Sequence, residues 1–213
     1  MCVCAVLIKE KKMLVIGLTG GTGSGKGCVS ASFLQFNINA IDTDKVSRIV
    51  CEKGAPCLNE LVSFFGQSIL NEDKTLNRKA LAGIVFSDKS KLEVLNRITH
   101  KHILAYTRNW LEEQKANGSK AAIVDAPMLY ESGFDKECDK IITVISDRET
   151  RTKRIIARDN LSLEDAEKRL NNQGDDEFYI QKADFIITNN GSLNDVDKQV
   201  KEIYNQLFES ANE

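Results

Sequence analysis

A glycine-rich stretch between an apolar run and a helical pattern constrains this chain more than any other feature. Residues 20–26 read GGTGSGK, and they follow the apolar, strand-like run 13–18. Glycines leave room for backbone N–H groups to close around a phosphate, and the N-terminus of the next helix, expected over about 26–35, adds partial positive charge. The order of strand, loop, lysine and helix predicts a site for a nucleoside triphosphate. It disfavours the alternative, a turn that only links a strand to a helix.

The loop departs from the usual phosphate-binding pattern at its last position. Gly20, Gly25 and Lys26 match G-x-x-x-x-G-K-[ST], and Lys26 is expected to reach the β- and γ-phosphates. Residue 27 is glycine and residue 28 is cysteine, so the hydroxyl that ordinarily binds Mg²⁺ is missing. We therefore expect carboxylates, water and the phosphates themselves to hold the magnesium ion, which retains several waters in most protein sites.

Composition argues against several classes of protein. The chain has 213 residues, of which 42% are hydrophobic and 28% are charged, with a net charge of −2. This is ordinary for a globular domain, and the lack of a basic excess argues against nucleic acid or a membrane surface as a partner. The six cysteines form no C-x-x-C pair. We therefore expect reduced thiols and a cytoplasmic protein rather than a disulfide framework.

The first twelve residues allow two interpretations. Residues 1–8 are apolar, but the run is too short to span a bilayer and lacks the basic start of a signal peptide. The stretch is either an extra edge strand or a segment that precedes a true start at Met13. Residues 13–209 are expected to form one domain.

Short apolar runs alternate with helical patterns along most of the chain. Strands are expected at 13–18, 38–41, 120–124, 141–145 and 183–188. Such alternation is typical of an α/β fold with a parallel sheet and helices on both faces. Residues 54–115 interrupt it with helical spacing alone, so we expect a helical insertion that receives a second substrate. His100 and His102 lie in this insertion and are expected to be core or surface residues rather than catalytic ones.

Acidic residues follow two of the expected strands. Asp42 and Asp44 follow the second strand, and Asp125 follows the run 121–124. Carboxylates at the carboxyl ends of parallel strands point into the crevice where such sheets bind ligands. Asp125 would hold magnesium through water, as in a Walker-B strand. The alternatives are a helix N-cap for Asp42 or Asp44 and a loop cap for Asp125, and a cap can coexist with a functional role.

Three arginines share one face of the helix expected at 149–159. Arg151, Arg154 and Arg158 have the spacing i, i+3 and i+7. They form either a solvated charged face or a stripe that neutralises a transferring phosphate.

Taken together, these motifs resemble the dephospho-coenzyme A kinase family over nearly the whole chain from Met13. Beyond the loop, the resemblance rests on IDTD at 41–44, GAP at 54–56 and DAPMLYE at 125–131. It rests further on Arg154, on RD at 158–159, and on ADFII and NNG at 183–187 and 189–191.

The resemblance implies a P-loop three-layer α/β fold with a parallel five-stranded sheet, a helical substrate-binding insertion and a lid. The core would be 13–50 and 119–209, the insertion about 52–117 and the lid about 151–180. The implied activity is the ATP- and Mg²⁺-dependent phosphorylation of the ribose 3′-hydroxyl of dephospho-coenzyme A, the last step of coenzyme A synthesis.

By the same likeness, Asp44 is the base that takes the hydroxyl proton, supported by Asp42, Lys26 and Arg154. Asp42 and Asp125 would bind the metal through water. Residues expected to bind ATP are Gly21, Thr22, Gly23, Ser24, Gly25, Lys26, Gly27, Cys28, Arg158 and Asn189. Residues expected to bind the acceptor are Asp44, Arg48, Asp125, Leu129 and Glu131.

Some positions depart from the family pattern and leave alternatives. Gly27 and Cys28 replace hydroxyl residues, Lys101 stands where a proline is frequent, and Phe178 stands near a usually basic lid position. The alternatives are another small-molecule or nucleotide kinase of the same fold, or a nucleotide-binding module that has lost its chemistry. A switch GTPase is disfavoured because the sequence has no N-K-x-D motif.

Overall fold

The computed structural model describes residues 12–171 and 176–209. The two interpretations of the N-terminal stretch concern residues 1–12, of which residues 1–11 lie outside the described residues, as do residues 172–175 of the expected lid.

A five-stranded parallel sheet forms the centre of the described structure. Its strands are β1 (Leu14–Thr19), β2 (Asn39–Asp42), β3 (Ala121–Asp125), β4 (Lys140–Ile145) and β5 (Phe185–Thr188), and their spatial order is β2-β3-β1-β4-β5. Each neighbouring pair is parallel. The predicted α/β fold with a parallel sheet is therefore confirmed. β1 lies in the middle, so the loop that follows it opens at the centre of the carboxyl edge of the sheet.

Helices cover both faces of this sheet. They are α1 (Lys26–Leu34), α2 (Thr43–Ile49), α3 (Pro56–Phe65), α4 (Arg78–Val85), α5 (Lys89–Ala116), α6 (Arg148–Asp159), α7 (Leu163–Asn171), α8 (Asp176–Ile180) and α9 (Leu193–Phe208). Short 3₁₀ turns occur at Gln67–Ile69 and Phe134–Glu137. The sequence analysis did not predict these turns or α8, because segments of three to five residues are too short to show a helical period.

Polar side chains set the starts of the longer helices. The carboxylate of Asp88 accepts hydrogen bonds from the backbone nitrogens of Ser90 and Lys91, so α5 begins directly after it. α9 begins with a reciprocal capping box between Ser192 and Asp195. These local signals explain why the helix boundaries expected from sequence lie close to the observed ones.

Each face of the sheet has its own apolar core. Alternate residues of β1 point to opposite faces, and Ile16 and Leu18 pack against α1 and α9 with Phe33 and Val200. The other core joins the sheet to the helical block α3–α5. The sheet thereby connects the helical block on one face with α1 and α9 on the other. None of the helices in the described ranges is long and apolar enough to cross a membrane.

Candidate active site

The loop after β1 has a backbone that side chains would obstruct. Gly20, Gly23 and Gly25 have φ angles of 141°, 78° and 90°, a region that residues with a Cβ rarely adopt. A Cβ at Gly20 would lie 2.2 Å from the carbonyl oxygen of Val144. These glycines are therefore needed for the loop to curl against β4 and turn its backbone inward.

The loop leads directly into α1, whose N-terminus carries no acidic residue in its first turn and no side-chain cap. Uncapped N–H groups at a helix start form a natural anion site. Lys26 is the first residue of α1, and its Nζ donates to the carbonyl oxygen of Gly20 at 3.1 Å. The ammonium group thus lies across the mouth of the loop, where an incoming phosphate would meet it.

A buried hydroxyl inside the loop gives an independent sign that the cradle fits a ligand. Ser24 is 1% exposed, and its Oγ has no hydrogen-bond partner among the described residues. Buried hydroxyl groups are ordinarily paired, because burial without a partner costs free energy. The cradle, its free helix N-terminus and this hydroxyl together fit the phosphates of a nucleotide.

Arg154 and Asn189 brace the loop from behind. Nη1 of Arg154 donates to the carbonyl oxygens of Gly23 and Ser24, both at 3.3 Å, and its Nη2 donates to Oδ1 of Asn189 at 3.1 Å. Nδ2 of Asn189 donates to the carbonyl oxygen of Ser24 at 2.9 Å. Because the carbonyl groups of Gly23 and Ser24 accept hydrogen bonds from these donors, the N–H groups of the loop can point to the side where a ligand would bind.

The other two arginines of the predicted stripe on α6 differ from each other in burial. Arg151 is 8% exposed and donates from Nε to the carbonyl oxygen of Thr22 at 2.9 Å. Arg158 is exposed and pairs with Asp159 at 2.8 Å. Within the predicted stripe, Arg151 and Arg154 therefore donate hydrogen bonds to the loop, and Arg158 lies at the surface. The charge of Asp44 contributes to a raised pKa of Arg158, after the pairing with Asp159.

Carboxylates cluster at the carboxyl ends of β2 and β3. Asp42 and Asp125 are partners in the parallel register of these strands. Burial raises the pKa of Asp125 to about 6; the charge of Lys26 opposes this rise, and the charges of Asp42 and Asp44 add to it. These couplings show that the ammonium of Lys26 and three carboxylates share one electrostatic site.

Asp42 also caps α2, as one of the sequence interpretations expected. Its Oδ1 accepts from the backbone nitrogens of Asp44 and Lys45, at 2.9 and 3.2 Å. The cap leaves Asp44 in the first turn of α2 with its side chain exposed. Capping by Asp42 therefore positions Asp44 beside the cluster.

A largely apolar cavity of about 350 Å³ opens beside Asp44, between α2, α4, α5 and the segment after β3. Its volume is typical of small-molecule sites. Polar or charged groups on its wall are Thr43, Asp44, Ser47, Arg78, Asn96, Thr99, His100, Thr107 and Ser132. Burial lowers the pKa of His100, and the charge of Glu131 opposes that shift.

The expected acceptor residues are placed unevenly around this cavity. Asp44 lines it, whereas Leu129 is fully buried beneath Gly17 and the neighbouring Met128 lines the wall instead. Arg48 and Glu131 are exposed and are not part of the wall. Met128 therefore lines the cavity beside Asp44, and an acceptor contact by Leu129 stays a prediction.

Some residues that line the cavity or hold the loop were not predicted as individual site residues from the sequence. Arg78, Met128 and Arg151 belong to this group. From the sequence, Arg151 was recognised only as one of three arginines on a helix face. Its contact with Thr22 indicates its role, and residue spacing does not predict that contact. His102, by contrast, is half-buried and is not part of the cavity wall, and its Nε2 lies 2.8 Å from Oε2 of Glu60.

The residues expected from sequence to hold a metal ion are two carboxylates, Asp42 and Asp125. Within the described ranges, no group of three or more His, Cys, Asp or Glu residues is arranged to hold a metal ion. The pair Asp42 and Asp125 suits a cation that keeps several waters and takes its other ligands from phosphates. A Cβ added at Gly27 would meet no described atom within 4 Å, so the position has room for the missing hydroxyl.

Comparison with known proteins agrees with this geometry. The model of the dephospho-CoA kinase family matches residues 14–195. A dephospho-CoA kinase of Fusobacterium nucleatum subsp. nucleatum is 42% identical over 189 residues, which cover 89% of this chain and 96% of that protein.

Two solved structures share the fold over almost their full lengths. One is TT1252 from Thermus thermophilus, with a TM-score of 0.78 and 28% identity over 92% of this chain and 99% of that one. The other is a dephospho-CoA kinase from Campylobacter jejuni, with a TM-score of 0.68 and 28% identity over 92% and 98% of the two chains. The family match spans the phosphate loop, the carboxylate cluster and the arginine helix alike, and on this basis the chain belongs to the dephospho-CoA kinase family.

Proposed function

We propose that this protein transfers the γ-phosphoryl group of ATP to the ribose 3′-hydroxyl of dephospho-CoA, giving CoA and ADP. The observation that carries the proposal is the position of Asp44, which lines the cavity while its charge acts on Asp125 beside Lys26. An acceptor in the cavity would thus present a hydroxyl next to both a carboxylate and the phosphate loop. Family membership supports the choice of acceptor.

The loop and the arginines would neutralise the phosphates. Phosphoryl transfer needs alignment and charge neutralisation more than covalent chemistry. In our proposal, N–H groups of residues 21–28 and the ammonium of Lys26 hold the β- and γ-phosphates. Arg154 keeps the loop in shape and adds positive charge behind it, and Arg158 and Asn189 complete the ATP side.

Asp44 would act as the general base. Its carboxylate would accept the proton of the 3′-hydroxyl as the oxygen attacks the γ-phosphorus. Asp42 caps α2 and so fixes the position of that base. Mg²⁺, when bound, would neutralise negative charge on the phosphates, and Asp42 and Asp125 are the residues we propose to hold it through water.

The helical block and the α6–α8 region would supply the rest of the reaction cycle. We propose that about 52–117 receives the acceptor, with Arg48 and Glu131 at its rim, and that about 151–180 acts as a lid. A closed lid would exclude water and so suppress hydrolysis of ATP. We propose a cytoplasmic setting and no nucleic acid or membrane partner.

An acceptor screen with ATP and Mg²⁺ tests this function. Purified protein is supplied with dephospho-CoA, adenosine monophosphate, adenosine or no acceptor, and release of ADP is measured. The proposal expects ADP release to depend on dephospho-CoA. Release that depends instead on another acceptor would identify a different small-molecule kinase. Binding of ATP without ADP release under any condition would identify a nucleotide-binding module that has lost its chemistry, as Gly27 and Cys28 would permit.

A further inference from the structure

Two buried cysteines meet at one wall of the cavity. The Sγ atoms of Cys51 and Cys57 lie 3.7 Å apart. Cys51 follows the end of α2, and Cys57 lies in the first turn of α3. They are 6% and 1% exposed, but Cys51 forms part of the cavity wall. The proposed phosphoryl transfer makes no use of either thiol.

The two thiols are not equivalent. The hydrogen bond from Cys57 lowers the pKa of Cys51 to about 7; burial opposes this shift, and the charge of Arg78 adds to it. The same hydrogen bond raises the pKa of Cys57, and burial adds to the rise. Two nearby side-chain charges also act on the pKa of Cys57: the charge of Glu60 raises it, and the charge of Lys101 lowers it. Of the two, Cys51 lines the cavity, so its thiol is the one that a molecule in the cavity can reach.

We propose that Cys51 and Cys57 form a dithiol site, which reacts with small-molecule disulfides that enter the cavity and is converted to an intramolecular disulfide. The placement assigns the roles: Cys51 faces the cavity and attacks, and Cys57 lies directly behind it and resolves the intermediate.

The reaction is a pair of thiol–disulfide exchanges. The Cys51 thiolate attacks one sulfur of the small molecule, whose S–S bond breaks and releases the first thiol, leaving a mixed disulfide on Cys51. Cys57 then loses its proton and attacks Sγ of Cys51, which breaks the mixed disulfide and releases the second thiol. The two cysteines lose two electrons and two protons, and the small-molecule disulfide gains both. The first step also helps the second, because capping Cys51 removes the thiolate that raises the pKa of Cys57.

The connecting turn can accommodate the new bond. A disulfide requires the sulfur atoms to close from 3.7 Å to about 2.0 Å. Residues 52–54 between the two cysteines are exposed, so the segment is not held by core packing. Formation of the disulfide therefore requires a small movement of an exposed turn and does not require a rearrangement of the core.

Reaction of the folded protein with dithiodipyridine tests the proposal, because this disulfide reports each released thiol as thiopyridone. The expected product carries no adduct at Cys51 or Cys57. Trypsin cuts after Lys53, between the two cysteines, so non-reducing peptide mapping should show peptides 49–53 and 54–74 joined by a disulfide. A stable thiopyridine adduct on Cys51, or no reaction at either residue while exposed Cys28 is fully modified, would overturn the proposal. Cys2 and Cys4 share the separate tryptic peptide 1–9 and do not interfere.

Two variants separate the roles of the sulfur atoms. In Cys57→Ala, Cys51 should keep its adduct, and one thiopyridone fewer should be released. In the matched variant Cys138→Ala, which removes a lone, half-buried thiol, the joined peptides should form as in the parent. Loss of the joined peptides in a folded Cys138→Ala protein would contradict the pairing. The parent protein alone carries the test if either variant fails to fold. Neither ATP nor acceptor is present, so a failure of the proposed kinase activity would leave this result unaffected.

Discussion

The Nε of Arg151 donates a hydrogen bond of 2.9 Å to the carbonyl oxygen of Thr22, within the phosphate-binding loop. The same guanidinium pairs with Asp176 at 3.0 Å, and its side chain is 10% exposed. One buried charge therefore joins the loop to α6 and α8. A Cβ at Gly21 would lie 2.2 Å from Nη2 of Arg151, so the guanidinium packs directly on the loop backbone.

Replacing Arg151 by lysine should weaken ATP binding. Lysine keeps the charge but cannot donate to Thr22 and Asp176 from one planar group, so the loop loses its fixed position. We expect the KM for ATP to rise roughly tenfold, equivalent to about 1.4 kcal/mol, with a smaller change in the KM for the acceptor. The control is Arg148→Lys on the same helix, whose exposed guanidinium pairs with Glu167. Equal effects of the two variants on the KM for ATP would count against this role of Arg151.

The general-base role of Asp44 predicts a specific loss in Asp44→Asn. The amide has nearly the same shape but cannot take the hydroxyl proton, so the kcat of the kinase should fall between about a hundredfold and ten-thousandfold. The dissociation constant of ATP should stay within about threefold of that of the parent, because the phosphate loop is intact. Steady-state kinetics and calorimetric titration with ATP give the two quantities. Glu52→Gln, which removes an exposed carboxylate just beyond α2, should keep kcat near that of the parent; near-normal turnover in Asp44→Asn would remove Asp44 from this role.

A hydroxyl at position 27 should strengthen magnesium binding. A side chain has room there, since a Cβ would meet no described atom within 4 Å. We expect Gly27→Ser to lower the Mg²⁺ concentration for half-maximal rate roughly threefold or more, because an oxygen ligand replaces a water. Gly27→Ala supplies the matched control, with the Cβ but without the hydroxyl. If alanine and serine change the magnesium requirement equally, the hydroxyl is not acting as a ligand.

Asp125 should reduce the stability of the metal-free protein above pH 6. Burial raises its pKa to about 6, whereas the unfolded chain loses this proton near pH 4. Between these values the folded state binds more protons, so the free energy of unfolding falls as pH rises, and the loss is complete above the folded pKa. Asp125→Asn should therefore be about 2–3 kcal/mol more stable than the parent at pH 7.5 and equally stable near pH 4.

Denaturant unfolding in the presence of a chelator, at pH 4 and pH 7.5, measures this difference. The kinase rate of Asp125→Asn should fall at the same time, because the carboxylate proposed to hold Mg²⁺ is lost. The control Asp147→Asn should gain no stability, because hydrogen bonds from Thr150 lower the pKa of Asp147 and favour its charged form. A constant stability difference between the two pH values would show that the Asp125 carboxyl does not titrate as described.

The strength of a local pattern decided how much could be predicted from sequence. The phosphate loop was predictable because its glycines and Lys26 are adjacent in sequence and act together locally. The five strands were predictable because short apolar runs indicate buried strands. The cap at Asp42 was predictable because an aspartate before a helical pattern is a local signal of a helix start. The Arg151–Thr22 contact and the meeting of Cys51 with Cys57 were not, because each depends on how separate elements pack. Whether Met128 or Leu129 lines the cavity depends on the direction of a loop side chain, which apolar composition does not fix.

Product analysis tests the central claim most directly. The protein is incubated with ATP, Mg²⁺ and dephospho-CoA, and phosphorus NMR identifies where the transferred group resides while ADP is quantified in the same sample. The account predicts one 3′-phosphomonoester of dephospho-CoA for each ADP formed. Inorganic phosphate in place of that ester, or a phosphoryl group on another hydroxyl, would contradict it.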